Sequence, residues 1–209
     1  MECLRRSRHA AFVKSLRCLE NEKYTEKFFL YSASPVLAGI RPAVLVSFQN
    51  CCREAWLRCS DSICRESGLS ARMLYEKNGM FSLLIYNRRH LEMKAGSPKS
   101  REILDTYGYP ASCGADELLS RLTERSAGCR FPHEIGVFLG YPPDDVISFI
   151  EKKGRNYLCC RYWKVYHDEV KAEEIFRRID DAKSEAVSLI IRKIPLKAAA
   201  EKLAGLQTI

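Results

Sequence analysis

The chain has 209 residues, 46% of them hydrophobic and 29% charged. That is enough for one substantial core and excludes collagen-like and disordered classes. No apolar run nears the roughly 20 residues that span a bilayer, and the N-terminus lacks the apolar stretch of a signal peptide, so the sequence reads as a cytoplasmic protein with no membrane partner. The formal net charge is +8, which fits either an ordinary basic surface or an anionic partner. The Lys and Arg residues are spread along the chain without interleaved aromatics, which argues against nucleic acid.

In chain order, Phe12, Leu16 and Leu19 predict an amphipathic helix over residues 8–20. Phe28 to Tyr31 form a short apolar run before Ser34-Pro35. The apolar stretch 35–48 carries Gly39 and Pro42, which predicts a loop and then a helix from about Pro42. A helix over 50–67 buries Trp56 and stops at Gly68. Asn78-Gly79 between two apolar runs predicts a hairpin with a type I′ turn, Leu83 and Ile85 facing one side and Leu84 and Tyr86 the other.

Helices over 88–95 and 98–107 are split by Gly96-Ser97-Pro98. Asp116 is a suitable N-cap for a helix over 117–126 with Leu118, Leu119 and Leu122 buried. Pro132 opens and Gly140 closes the next helix; Pro143-Asp144-Asp145 starts another that Gly154 stops. Tyr157 to Tyr166 reads as a strand. A long helix runs from Asp168, its N-cap, to Ile194, with Phe176, Ile179, Ala186 and Ile190 near a 3.5-residue period, and 196–204 adds a short terminal helix. The expected fold is α+β (or α/β), a helix-rich single domain over 1–194 around a small, mostly antiparallel sheet, with a C-terminal extension over 195–209.

Ten cysteines with no Cys-x-x-Cys spacing exclude zinc-ribbon and thioredoxin patterns, and free thiols are expected. Cys52, Trp56 and Cys59 share one helical face, as small buried hydrophobes do. Cys159-Cys160 on a strand point to opposite faces, so no metal site is expected there.

Three segments carry a resemblance: Phe131 to Pro142 (FPHEIGVFLGYP) with Asp145-Val146, Tyr162 to Tyr166 (YWKVY), and Ser34 to Ala43 (SPVLAGIRPA). In this order they resemble a family of anaerobic Firmicutes catalogued as domain of unknown function thirty-seven ninety-three, over about residues 25–180. The resemblance implies a cytosolic bacterial protein and brings no activity or cofactor. Members of that family often carry His-Cys just before the third motif, where this chain reads Ser32-Ala33, so a cysteine nucleophile shared by the family would be missing here.

His133-Glu134 is the most suggestive pair for acid–base chemistry. Against that, Glu134 near a helix start complements the macrodipole, and His133 can simply bond a carbonyl. The zinc-protease pattern fails because position 137 is Val. On the predicted strand, Trp163 and Val165 face one side, and Lys164 and Tyr166 the other. Trp163, Lys164 and Tyr166 are therefore candidate ligand-binding residues, with Arg41 as a guanidinium suited to carboxylate or phosphate. Residues 134–152 also mimic a helix-turn-helix, whose second helix would aim Asp144-Asp145 at phosphates. No glycine-rich phosphate loop and no Gly-x-Ser-x-Gly elbow is present. Three readings stand: a binding protein for a small anionic molecule, an enzyme using His133 with Glu134 or Lys164, and a nucleic-acid binder.

Overall fold

A computed structural model describes residues 10–110, 114–128 and 131–208. Its centre is β3 (Met80–Tyr86), an almost wholly apolar strand paired antiparallel on both sides, to β1 (Ala43–Gln49) and to β2 (Ser70–Lys77), in the order β1-β3-β2. Asn78 and Gly79 both take positive φ, 53° and 72°, which closes the β2–β3 hairpin with the turn that matches strand twist. Because side chains alternate along a strand, β3 divides its apolar residues between two cores. Phe81, Leu83 and Ile85 enter one; Leu84 and Tyr86 enter the other.

The first core is covered by α1 (10–16), α2 (Asn21–Leu37), α3 (Arg53–Ser67), the long α9 (Glu169–Ile191) and α10 (Leu196–Ala204). The second is covered by α4 (Arg88–Ala95), α5 (Pro98–Thr106), α6 (Ala115–Ser126), the single turn α7 (Ile135–Phe138) and α8 (Pro143–Glu151). The fold is thus helix-rich α+β, with helices on both faces of a small antiparallel sheet. Asp168 caps α9 by accepting the Lys171 N–H at 2.9 Å, and α10 packs Leu196, Ala199, Ala200 and Leu203 into the first core. Among the described residues no helix is long and apolar enough to cross a membrane. The seven described cysteines are free thiols; Cys52 is buried beside Trp56, and burial pushes its thiol up to about 11.

Four sequence expectations are corrected. Residues 28–37 are not a run followed by a loop but the second half of α2, which passes through Pro35. A proline there cannot donate to the carbonyl of Tyr31; the Ser34 hydroxyl donates to it instead, at 2.8 Å. The helix expected from Pro42 is β1. A short apolar run does not distinguish helix from strand by periodicity, and pairing with β3 decides the matter. Asp116 is not the cap of α6: Gly114 is, Asp116 lies in the first turn, and its carboxylate accepts from Arg88. The backbone N–H of Ala115 is taken by Glu92 at 3.0 Å. Finally, 157–166 is not one strand. The chain reverses at Arg161–Trp163, so β4 (Cys159–Cys160) and β5 (Lys164–Val165) pair with each other, apart from the main sheet.

Candidate functional site

The three segments that carry the family resemblance meet at Arg41. After α2 the chain turns so that the N–H groups of Ile40 and Arg41 both donate to the Pro35 carbonyl, at 2.9 and 3.1 Å. This fixes Arg41 just before β1. Its guanidinium stands over the rings of Tyr141 (4.9 Å), Trp163 (5.3 Å) and Tyr162 (5.7 Å), and Tyr141 stacks on Trp163 at 5.4 Å. Such cation–ring contacts are electrostatically favourable and stronger when desolvated. Arg41 is only 6% exposed. Its Nη2 has no hydrogen-bond partner among the described residues, and burial lowers its pKa from the usual arginine value.

Arg41 borders a half-open cavity of about 770 Å³. One wall is α2, through Phe28, Tyr31, Ser32 and Pro35. The opposite wall is the 131–149 segment, through Phe131, His133, Ile135, Leu139, Tyr141, Val146 and Phe149. The floor is Val44 to Ser47 of β1, and the end is closed by Cys160 to Lys164 with Ile179 and Lys183 of α9. The lining is mostly apolar; Arg41 and Lys183 are grouped at the end around Tyr162, while Lys164 and His133 stand beside Phe149.

The carboxylates at that end are already committed. Asp145, 3% exposed, accepts from Trp163 Nε1 and from the Tyr166 N–H, each at 2.8 Å. Asp180, which lies below the cavity on α9, accepts from Arg161 Nη2 at 2.7 Å and from the Tyr162 hydroxyl. Lys183 is half-buried, with its ammonium 4.7 Å from the Tyr162 ring centre and 5.4 Å from that of Tyr31. Burial pulls its pKa down to about 8; Asp180 opposes the shift and Arg41 adds to it. The result is a cavity whose inner end carries excess positive charge in a poorly solvated setting.

Of the residues singled out in the sequence, Arg41, His133, Trp163 and Lys164 line this one cavity. Lys164 donates to the Gly154 carbonyl at 2.7 Å and stands over Tyr157 at 4.8 Å, while the exposed His133 packs edge-on against Phe149 at 5.1 Å. Glu134 does not line it. It is 1% exposed, pairs with Arg125 and accepts from the Tyr109 hydroxyl at 3.1 Å, so the adjacent His133 and Glu134 serve different surroundings. Tyr166 is buried beside Asp145 and is absent from the lining, and the Lys152 ammonium lies 5.1 Å from its ring centre. The helix-turn-helix resemblance dissolves: α7 is one turn, and Asp145 of α8 is buried rather than aimed at solvent.

Lys183 was not singled out in the sequence, and Tyr162 and Asp145 were named there as motif members but not as parts of a cavity. A signal for Lys183 was present. Phe176, Ile179, Lys183, Ala186 and Ile190 follow an alternating three- and four-residue spacing on α9, so a lysine occupies a position that the periodicity assigns to the core face.

The chain is therefore a helix-clad antiparallel-sheet protein with a cationic, apolar-walled cavity at one sheet edge. Residues 29–199 match the family model described as Protein of unknown function (DUF3793), and the chain belongs to that family. The matched span holds every cavity residue named above except Phe28. Searches of curated proteins and of solved structures found no match.

Proposed function

We propose that this protein binds a small molecule that carries an anionic group on an apolar body, in the cavity between α2 and the 131–149 segment. The observation that carries the reading is the buried Arg41, held on three aromatic rings with Nη2 unpaired among the described residues. A buried cation is costly unless it is paired, and the buried carboxylates of the surrounding elements, Asp145 and Asp180, are engaged by other donors. A carboxylate or phosphate bound beside Arg41, with Lys183 and Lys164 on the same cavity, would neutralise the buried guanidinium. A guanidinium suits both anions because its donors form a planar fork. Phe28, Phe131, Val46, Leu139 and Phe149 would then cover the apolar body.

The test is titration of the full chain with octanoate, octyl phosphate and, as the uncharged control, octanol. Either anion is expected to raise the melting temperature and change the fluorescence of Trp163, with octanol much weaker, because binding to the native state stabilises it. Arg41→Met should weaken the anions and leave octanol unaffected. Equal response to all three ligands, or undiminished anion binding by Arg41→Met, would remove the reading.

A further inference from the structure

The floor of the cavity has a feature that a site for a compact small molecule does not need. Val44, Leu45, Val46 and Ser47 all line it. Successive side chains of a strand point to opposite faces, so a cavity lying on one face of the sheet would meet every second residue. Contact with four in a row places it along the strand's edge. Among the described residues β1 is an outer strand of the sheet, paired with β3 alone, and half of an outer strand's N–H and C=O groups point away from its neighbour. None of the backbone hydrogen bonds among the described residues reaches Val44 to Ser47 from the cavity side. Natural edges are usually blunted by lysine, proline or a bulge. β1 (Ala43–Gln49, AVLVSFQ) has none of these; the bulge of this sheet lies in β2.

We infer that the cavity is a groove for an extended peptide, which adds to β1 as a further strand and ends with its C-terminal carboxylate at Arg41. This rests on the anion-binding reading of the same site and names its ligand class. The arrangement supplies both parts such recognition uses: main-chain pairing along an open edge, and capture of a terminal carboxylate at the end. Arg41 sits immediately before β1 in sequence, two residues ahead of its first residue, so the cation stands at one end of the edge. The groove walls also differ from face to face. Phe28 of α2 packs in the same core as Val44 and Val46, whereas Ile135 packs in the same core as Leu45. Alternate side chains of the peptide would enter these two apolar flanks. Its apolar residues would meet apolar walls, and its single terminal charge would meet the excess positive charge of the closed end.

The experiment uses the immobilised full chain and two pools of acetylated random hexapeptides, one with free C-terminal carboxylates and one amidated, with retained peptides read by mass spectrometry. Apolar peptides from the free-acid pool are expected to be retained, with amidation weakening an individual hit by about tenfold or more, as loss of a charge-assisted contact does. A bound hit should slow hydrogen exchange of the β1 amides that point away from β3. N-methylation at alternate residues of the hit should abolish binding in one register and not in the other, as strand pairing requires; this arm holds whether or not Arg41→Met folds. Equal retention of the two pools, or a bound hit that leaves β1 exchange unchanged, overturns the inference. If octanoate binds and no peptide is retained, the peptide inference falls and the small-anion reading stands. If neither binds, both fall.

Discussion

Gly140 lies against the ring of Pro42 so closely that a Cβ on it would overlap the proline Cδ, and its φ is +72°. This contact joins the segment that ends at Pro142 to the segment that presents Arg41. It explains why a glycine ends α7: the position needs both a left-handed backbone and an absent side chain. Gly140→Ala should therefore destabilise the fold by about 2–4 kcal/mol, from left-handed strain together with overpacking. Urea unfolding measures it, with the Cβ-tolerant turn residue as a reference. Gly79→Ala, also at positive φ but with open space around its Cβ, should cost only about 1–2 kcal/mol.

Asp145 holds the short β4–β5 hairpin to α8 through Trp163 Nε1 and the Tyr166 N–H. Asp145→Ala leaves two buried donors unpaired, each costing about 1–3 kcal/mol, so a loss of about 2–6 kcal/mol is expected. Asp145→Asn keeps one acceptor oxygen and should lose less. Small losses for both variants would show that the donors find other acceptors.

The Arg125–Glu134 pair is asymmetric, the carboxylate being 1% exposed and the guanidinium 27%. Removing the cation strands a charge in the core, whereas removing the charge from Glu134 leaves a cation that reaches water. Arg125→Ala should accordingly cost about 3–5 kcal/mol, and Glu134→Gln less. Since Glu134 faces away from the cavity, Glu134→Gln should leave octanoate affinity unchanged. A fall in affinity equal to that of Arg41→Met would contradict the separation of the two environments.

Lys183 gives a pH signature with a definite sign. Its folded-state pKa is about 8, against an ordinary lysine value of 10.5, so between these values the unfolded chain binds more protons than the folded one. Stability contributed by this group then rises with pH across that window. Below about pH 8 both states are protonated and the folded state bears the full cost of the buried charge. Above about 10.5 both are neutral and the cost is gone. Cysteines and tyrosines titrate in the same range, so the measurement is the difference between wild type and Lys183→Met. Wild type should gain on the variant from pH 8 to 10.5, and a flat difference would show that the ammonium is ordinarily solvated.

The local signals of this chain were largely self-sufficient. Asn78-Gly79, Gly68, Gly96-Ser97-Pro98 and Asp168 each act through backbone geometry within a few residues, and the elements they delimit appear where the pattern put them. Arg41, His133, Trp163 and Lys164 could be singled out because each is a polar or aromatic group in a recognisable motif. Much of what failed depended on a distant partner. The run Ala43 to Val46 is a strand because β3 offers it an edge. Pro35 is a different case, with a local answer: the neighbouring Ser34 hydroxyl takes over the Tyr31 carbonyl and α2 continues.

Glu134 could not be assigned from its neighbour His133, because its role is set by Arg125 and Tyr109, which only folding brings beside it. The sequence by itself determined the turns, the caps and the apolar periodicity, since these are short-range properties of backbone and side chain. The tertiary structure decided how far each cation loses its water, although the periodicity of α9 already put Lys183 on the core face. A buried Arg41 and a half-buried Lys183 acquire their chemistry from rings and carboxylates contributed by α2, the 131–149 segment, the β4–β5 hairpin and α9, and desolvation is a property of the packed surroundings that no residue carries in its own position along the chain.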